Sequence, residues 1–192
     1  MVDAPLRIDW LDDRLDATSG GHPLTGRLGM TVLPGKHGPS SRYPGRVYRR
    51  ELAADLATLA SQGVRRLILL VEDAELRRWG DSDLVAKAAT AGVDVVRHPM
   101  PDGGTPPSLG EMDAILREAR TGRAAGNVAV ACMGGVGRTG MVAACALVAT
   151  GLAPADAIAR VRRIRHPEAV ETPAQEHFVA AYAEHVAAAR PG

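Results

Sequence analysis

This chain of 192 residues has little excess charge and few lysines, and it lacks long apolar segments. Lys and Arg number 23 against 22 Asp and Glu, a formal net charge of +1, so bulk charge favours neither nucleic acid nor a membrane surface as a partner. No run of 18 apolar residues occurs, which predicts no transmembrane helix. Only Lys36 and Lys87 are lysines, and the preference for arginine and alanine is typical of GC-rich bacterial genomes.

Cysteine and metal-ligand patterns are also scarce. Cys132 and Cys145 are the only cysteines, too few for a disulfide framework, and the six histidines show no metal-ligand spacing. We therefore expect neither a metal nor a cofactor. The N-terminus is too acidic and too weakly apolar for a signal peptide, so a cytoplasmic protein is expected. The length predicts a single domain over 1–192, with an N-terminal extension at 1–26 and the core at 27–189.

Short apolar segments alternate with helical patterns along the chain. The patterns predict strands over 28–33, 66–71, 93–97 and 127–131, a turn-rich loop over 34–45, and helices over 48–62, 74–79, 83–91, 108–121, 138–150, 153–165 and 173–189. Ser108 and Glu111 form a capping-box pattern at the start of the fourth helix. This alternation predicts an α/β fold with a central, mainly parallel sheet flanked by helices.

Residues 128–140 carry the most specific chemistry. Cys132 ends an apolar run, five residues including three glycines follow, and Arg138 and Thr139 open a helical pattern. Glycines and a helix start let backbone N–H groups converge on one anion, and an arginine can bind two of its oxygens. The same positive field favours the nucleophilic thiolate of Cys132. The predicted substrate-binding residues are Met133, Gly134, Gly135, Val136, Gly137 and Arg138, with phosphate or vanadate as anions.

Two other interpretations of this loop exist. Residues 135–140 also fit G-x-G-x-x-G, the dinucleotide fingerprint, which needs an acidic residue at a strand end about 20 residues on. Asp156 has that spacing but lies in a helical pattern, and the remaining chain is too short for a dinucleotide domain. Alternatively, the loop is a glycine-rich structural turn with a buried, inert cysteine.

Thiolate attack on a phosphate monoester requires a proton for the leaving oxygen. Asp102 is available on a loop between Pro101 and a glycine pair, which suits a hinge that closes over substrate. The alternative is that Asp102 only stabilises an Asp-Gly turn. Other carboxylates that could supply the proton are Asp94, Glu111 and Asp113.

The Cys132-x5-Arg138-Thr139 loop resembles the active-site loop of the cysteine-dependent protein tyrosine and dual-specificity phosphatases. Residues 99–106 resemble the acid loop of the dual-specificity phosphatases, and residues 142–145 resemble a stretch of the subgroup that contains the cyclin-dependent-kinase-associated phosphatase. The resemblance implies a metal-independent phosphatase of the protein tyrosine phosphatase-like fold that acts on phosphorylated proteins or peptides. It implies Cys132 as nucleophile, Asp102 as general acid and a phosphocysteine intermediate.

The resemblance also implies roles for two further side chains. The Thr139 hydroxyl is expected to hydrogen-bond the cysteine sulfur, although it could instead satisfy the helix backbone. Gln175 is expected to position the hydrolytic water, although Thr172 and Gln175 also fit a capping box. One departure stands out, because Ala131 replaces the histidine that relatives usually carry before the cysteine, which predicts a slower enzyme.

The substrate is less well determined by the sequence. The loop interior carries no lysine, which argues against inositol lipids and favours phosphotyrosine, with or without phosphoserine and phosphothreonine. Lys36, Arg42, Tyr43 and Arg46 could line the cleft, and Arg165 could brace the loop. A non-catalytic phosphate-binding module and an enzyme of sulfur transfer or arsenate reduction remain as alternatives.

Overall fold

The structure, a computed structural model, describes residues 3–11, 18–19, 22–23, 25–40 and 43–189. In chain order its strands are β1 (Asp9–Trp10), β2 (Thr18–Ser19), β3 (His22–Pro23), β4 (Leu28–Val32), β5 (His37–Pro39), β6 (Val47–Arg49), β7 (Val64–Leu69), β8 (Asp94–Arg97) and β9 (Asn127–Cys132). Its helices are α1 (Leu52–Ser61), α2 (Asp73–Trp79), α3 (Leu84–Thr90), α4 (Leu109–Ala125), α5 (Gly137–Ala149), α6 (Pro154–Ile164) and α7 (Pro173–Ala189).

A five-stranded sheet in the order β1-β4-β9-β7-β8 forms the centre of the molecule. The strands β4, β9, β7 and β8 run parallel, and β1 pairs antiparallel with β4 at the edge. Helices cover both faces, and the inner strands are accordingly apolar along almost their whole length. This architecture confirms the predicted α/β class with a mainly parallel sheet.

The core is divided by the sheet into two apolar layers. Side chains alternate along each strand, so Ile68 and Val130 contact one layer while Leu67 and Ala129 contact the other. The first layer is filled from α4, α5, α6 and α7, and the second from α1, α2 and α3. The α5 helix is buried on almost every side, because it packs between the sheet, α6 and α7.

Three features differ from the sequence-based expectations. The helix predicted from residue 48 begins at Leu52, because Tyr48 instead lies in β6 and pairs with Gly38 in β5. This hairpin also falls partly within the predicted loop at 34–45. The helix predicted to end at residue 121 continues to Ala125. Part of the predicted N-terminal extension belongs to the sheet, since β1 pairs with β4 and Leu6, Ile8 and Leu11 are buried.

The parallel arrangement determines where a site can form. The carboxyl ends of β4, β7, β8 and β9 lie at the same edge of the sheet, so the segments that follow these strands converge there. These segments are residues 33–36, 70–72, 98–108 and 133–136. Three of the predicted site groups, Cys132, Arg138 and Asp102, line the cleft at this edge.

Candidate active site

The loop between β9 and α5 begins at Cys132 and ends where the helix starts at Gly137. Gly135 has φ +65°, and a Cβ there would clash with the Thr31 carbonyl oxygen, so only glycine fits without rearrangement. Arg165 donates from Nε to the Gly135 carbonyl at 2.7 Å and from Nη2 to the Gly134 carbonyl at 3.1 Å. Arg165 therefore braces the loop, as predicted, and a 2.6 Å ion pair to Asp9 of β1 fixes it in turn.

Arg138 is buried at the start of α5, with 1% of its surface exposed. Its two terminal nitrogens bind the two carboxylate oxygens of Glu75, each at 2.7 Å, and Nη1 also donates to the Met100 carbonyl at 2.9 Å. Burial opposes the charge, but the hydrogen bonds to Glu75 and the nearby anionic groups outweigh it and raise the pKa of Arg138 above its usual range. The guanidinium is thus a fixed positive charge in the cleft.

Glu75 was not identified from the sequence as a site residue. It lies in α2, and its Oε2 also accepts a hydrogen bond from the Glu72 backbone N–H at 2.9 Å, which completes a capping box. The signal that could have identified it is its position, since residues 72–75 contain three acidic side chains just beyond the apolar run at 67–71. A carboxylate there is well placed to orient an arginine that follows a neighbouring strand.

The two cysteines lie in different surroundings. Cys132 lines a cleft of about 410 Å³ that opens at the edge of the sheet. Cys145 lies two turns along α5 with no exposed surface, and burial raises the pKa of its thiol far above its usual range. Cys145 is therefore a small core residue, as predicted, and Cys132 is the cysteine available for chemistry.

Asp102 lies on the acid loop, which we define as residues 98–104, between β8 and α4. Its Oδ1 accepts a hydrogen bond from Arg138 Nη2 at 2.8 Å, and 70% of its side chain is exposed. The three alternative acids do not line the cleft formed by the described residues. Asp94 pairs with Arg66, Glu111 with His98, and Asp113 with Tyr182 and His185.

The start of α7 is attached to the acid loop by two side chains. Thr172 Oγ1 donates to the Gly103 carbonyl at 2.9 Å, and Gln175 Nε2 donates to the Gly104 carbonyl at 3.0 Å. Gln175 is fully buried, and its Oε1 accepts from the Glu171 backbone N–H at 2.9 Å. Both ends of the Gln175 amide are thus occupied, which favours the capping interpretation, and the water-positioning role stays a prediction.

Thr139 lies in the first turn of α5 and is fully buried. Its Oγ1 makes no hydrogen bond to any part of the chain that the structure describes. The bond to the Cys132 sulfur therefore stays a prediction.

The rim of the cleft carries aromatic and basic groups. Lys36, Tyr43 and Arg46 line it, and Arg42 lies outside the described residues. The Tyr43 hydroxyl is 3.4 Å from His166 Nε2 across the opening.

Over the described ranges, no helix is both long and apolar enough to cross a membrane, and no three His, Cys, Asp or Glu side chains group as metal ligands.

The dinucleotide interpretation of residues 135–140 finds no support in this arrangement. Asp156, the acidic residue with the required spacing, is exposed in the first turn of α6 rather than at the end of a strand.

Comparison with known proteins identifies relatives that are phosphatases or are named for cyclin-dependent kinases. Residues 45–152 match the family model "Polymorphic toxin system, DSP-PTPase phosphatase". Cyclin-dependent kinase inhibitor 3 of Rattus norvegicus is 28% identical over 188 residues, which cover 96% of this chain and 82% of the relative. The human protein of the same name is 27% identical over 193 residues, with the same shares covered.

Solved structures show the same fold. A crystal structure of kinase associated phosphatase, with its catalytic-site cysteine replaced by serine, superposes with a TM-score of 0.76 and 25% identity, covering 97% of this chain and 99% of that one. Tk-PTP in its active form superposes with a TM-score of 0.66 and 29% identity, covering 84% and 94%. With a family model matching more than half of its length, the chain belongs to the DSP-PTPase phosphatase family of polymorphic toxin systems and is a cysteine-dependent phosphatase of the dual-specificity type.

Proposed function

We propose that this protein hydrolyses phosphate monoesters of phosphorylated proteins or peptides, without a metal, through a cysteinyl-phosphate intermediate. The observation that carries the proposal is the meeting of Cys132, Arg138 and Asp102 in one cleft. A nucleophile, an anion-binding cation and a proton donor are the three groups that the reaction requires.

In the first step, the Cys132 sulfur attacks phosphorus and the bond from phosphorus to the ester oxygen breaks. The leaving oxygen takes a proton from Asp102, whose carboxylate has taken up that proton from solvent after substrate displaced it from Arg138. In the second step, water attacks the phosphocysteine, Asp102 accepts a proton from that water, and the sulfur–phosphorus bond breaks to release phosphate and the thiolate. Asp102 serves as acid and then as base, so it returns to its starting state after each turnover.

Arg138 is prepared for the phosphoryl group by its existing contacts. Glu75 holds the guanidinium plane, while the buried Nε has no partner within the described residues. The Asp102 carboxylate occupies Nη2. A phosphate that binds Nε and Nη2 would displace Asp102 from the arginine and free it to reach the leaving oxygen. The N–H groups of residues 133–138 and the start of α5 would bind the remaining oxygens.

Phosphorylated proteins or peptides are the proposed substrates, and phosphotyrosine is the preferred residue. The cleft of about 410 Å³ has Tyr43, Arg46 and His166 along its lining, which suits an aromatic phosphoresidue with flanking peptide. Phosphoserine and phosphothreonine are substrates of the same chemistry in this proposal.

The experiment that tests this function is hydrolysis of para-nitrophenyl phosphate in the presence of a chelator. We expect turnover by the native chain, a loss of at least about 10³-fold in Cys132→Ser, and near-native turnover in Cys145→Ala, the matched control at the buried cysteine. Mild peroxide is expected to inactivate the native chain, because peroxide that enters the cleft would oxidise the nucleophilic sulfur of Cys132. Turnover that requires a metal would contradict the mechanism, and phosphate binding without turnover would instead identify a binding module.

A further inference from the structure

A buried lysine, Lys36, lines the same cleft from the turn that follows β4, the strand beside β9. The strands β4 and β9 are parallel neighbours, and Val32 at the end of β4 is paired with Cys132 in register. The chain then turns, with the Lys36 backbone N–H donating to the Leu33 carbonyl at 3.2 Å. This turn brings Lys36 to the wall of the cleft that Cys132 also lines.

The turn is held in place by a separate ion pair. Asp55, which is 3% exposed, accepts a hydrogen bond from the Gly35 N–H at 2.9 Å and forms a 2.7 Å ion pair with Arg50. Gly35 has φ +70°, a conformation that favours glycine. Asp55 therefore fixes the backbone beside Lys36, while its charge is balanced by Arg50.

Among the described residues, no carboxylate forms an ion pair with the Lys36 ammonium. Lys36 is 6% exposed, and its Nζ lies 3.8 Å from the centroid of the Tyr48 ring. Arg46 lies over the same ring, with Cζ 4.7 Å from the centroid. Within the part of the chain that is described, no carboxylate comes within 4.0 Å of Nζ. Buried lysines are rare unless they are paired, so this ammonium is available to an anion that enters the cleft.

Four charged or titratable groups face Lys36 from the surrounding elements: Cys132 on β9, Arg46 before β6, Asp102 on the acid loop and Asp3 in the N-terminal segment. Burial lowers the pKa of Lys36 to about 8, and Arg46 lowers it further, while the other three groups act in the opposite direction. Lys36 is therefore mainly charged at neutral pH and titrates just above it.

We propose that Lys36 is a second cation of the phosphate site, whose ammonium binds the phosphoryl group beside Cys132 together with Arg138. Ala131 offers no polar side chain before the cysteine, and Lys36 instead supplies positive charge to Cys132 and the phosphoryl group from the turn after the neighbouring strand. The inference rests on the anion site of the proposed function, and its test measures binding rather than turnover.

The sign of the pH dependence follows from the charge. A bound anion favours the protonated ammonium, so phosphate binding raises the pKa of Lys36 and is coupled to proton uptake wherever the free protein has lost that proton. The affinity for the phosphate dianion is therefore constant below the pKa of Lys36 in the free protein, which is about 8. It falls as the pH rises above that value. If the neutral side chain contributes no more than methionine would, the total fall is about tenfold, and it is nearly complete within about two pH units above the pKa of Lys36 in the free protein.

The experiment is calorimetric titration with inorganic phosphate from about pH 7.5 to 9.5, where phosphate is mainly a dianion, with affinities expressed per dianion. Lys87, the other lysine of the chain, is exposed on α3 and provides the matched control Lys87→Met. We expect Lys87→Met to reproduce the native loss of affinity at alkaline pH. Lys36→Met should bind about tenfold more weakly at pH 7.5 and lack the pH dependence of Lys36, and Lys36→Arg should bind well up to pH 9.5 because its guanidinium does not titrate.

The inference is overturned if Lys36→Met binds phosphate as tightly as the native chain, or if Lys36→Arg keeps the native alkaline loss. Should Lys36→Met fail to fold, Lys36→Arg decides, because it keeps the charge and removes only the titration. Failure of the proposed function looks different: para-nitrophenyl phosphate would not be hydrolysed, while phosphate binding would still depend on Lys36. Conversely, if the native chain hydrolyses para-nitrophenyl phosphate but Lys36→Met binds phosphate as tightly as the native chain, only the inference about Lys36 is refuted.

Discussion

The two loops that meet in the cleft are held in place in different ways. The phosphate loop, residues 132–138, lies between a buried strand and a buried helix. Arg165 binds its carbonyls and Glu75 holds its arginine. The acid loop carries a largely exposed Asp102, and two of its carbonyls accept hydrogen bonds from the start of α7.

This contrast matches the two tasks in the proposed reaction. Anion binding gains most from groups that are already oriented before the substrate arrives, which favours the heavily braced loop. A proton donor has to leave Arg138 and reach the ester oxygen, and product then has to depart, which favours a largely exposed side chain such as Asp102. The Met100 carbonyl and the Asp102 carboxylate both join the acid loop to Arg138, and in the proposed reaction substrate breaks only the Asp102 contact.

Breaking the braced loop should have the largest effect. Arg138→Lys keeps a positive charge but loses the planar fork that binds Glu75 and phosphate oxygens together, so we expect kcat/KM to fall about 10³-fold. Steady-state kinetics with para-nitrophenyl phosphate measures the loss, and circular dichroism verifies folding. Arg163→Lys, at an exposed position on α6, is the control. If Arg138→Lys retained a tenth of the native kcat/KM, Arg138 would not be the main phosphate-binding group.

Removing the general acid Asp102 should have the next largest effect. It should lower the rate of turnover but strengthen phosphate binding. Asp102→Asn loses the proton donor, so kcat on a phosphopeptide should fall about 10²-fold, with a smaller loss on para-nitrophenyl phosphate, whose leaving group needs less protonation. Phosphate should bind more tightly, because a carboxylate no longer competes for Arg138 Nη2.

Asp156→Asn, at an exposed site on α6, serves as the matched carboxylate control. Equal losses of kcat on both substrates, or weaker phosphate binding in Asp102→Asn, would mean that Asp102 orients Arg138 instead of donating a proton.

The attachment of the acid loop should give the smallest effect. Thr172→Val removes the hydrogen bond to Gly103 and the helix cap, so we expect kcat on a phosphopeptide to fall several-fold and the free energy of unfolding to fall by about 1 kcal/mol. Phosphate affinity should not change, since the phosphate loop is untouched. Thr90→Val, at an exposed position at the end of α3, is the control for loss of a hydroxyl. A change in phosphate affinity would show that the Thr172 hydrogen bond also controls how strongly Asp102 competes with phosphate for Arg138.

The elements with strong periodic patterns were predicted closely from the sequence. The strands near 66–71 and 127–131 and the helix at 173–189 lie within two residues of their predicted bounds, because long apolar patterns depend on local sequence. The edge strand Asp9–Trp10 and the β5–β6 hairpin were missed, because strands of two or three residues form only through pairing with distant partners.

The sequence by itself determined the chemistry of the phosphate loop, because the spacing of Cys132, the glycines and Arg138 acts within one strand-loop-helix unit. Only the tertiary structure decided which distant groups join it. Strand order brought Glu75, Lys36 and Asp102 to the same edge of the sheet and placed Asp94 and Asp113 elsewhere. Those contacts join residues dozens of positions apart in sequence, so no local pattern encodes them, and packing of the sheet and helices determines which carboxylate and which lysine face the cysteine.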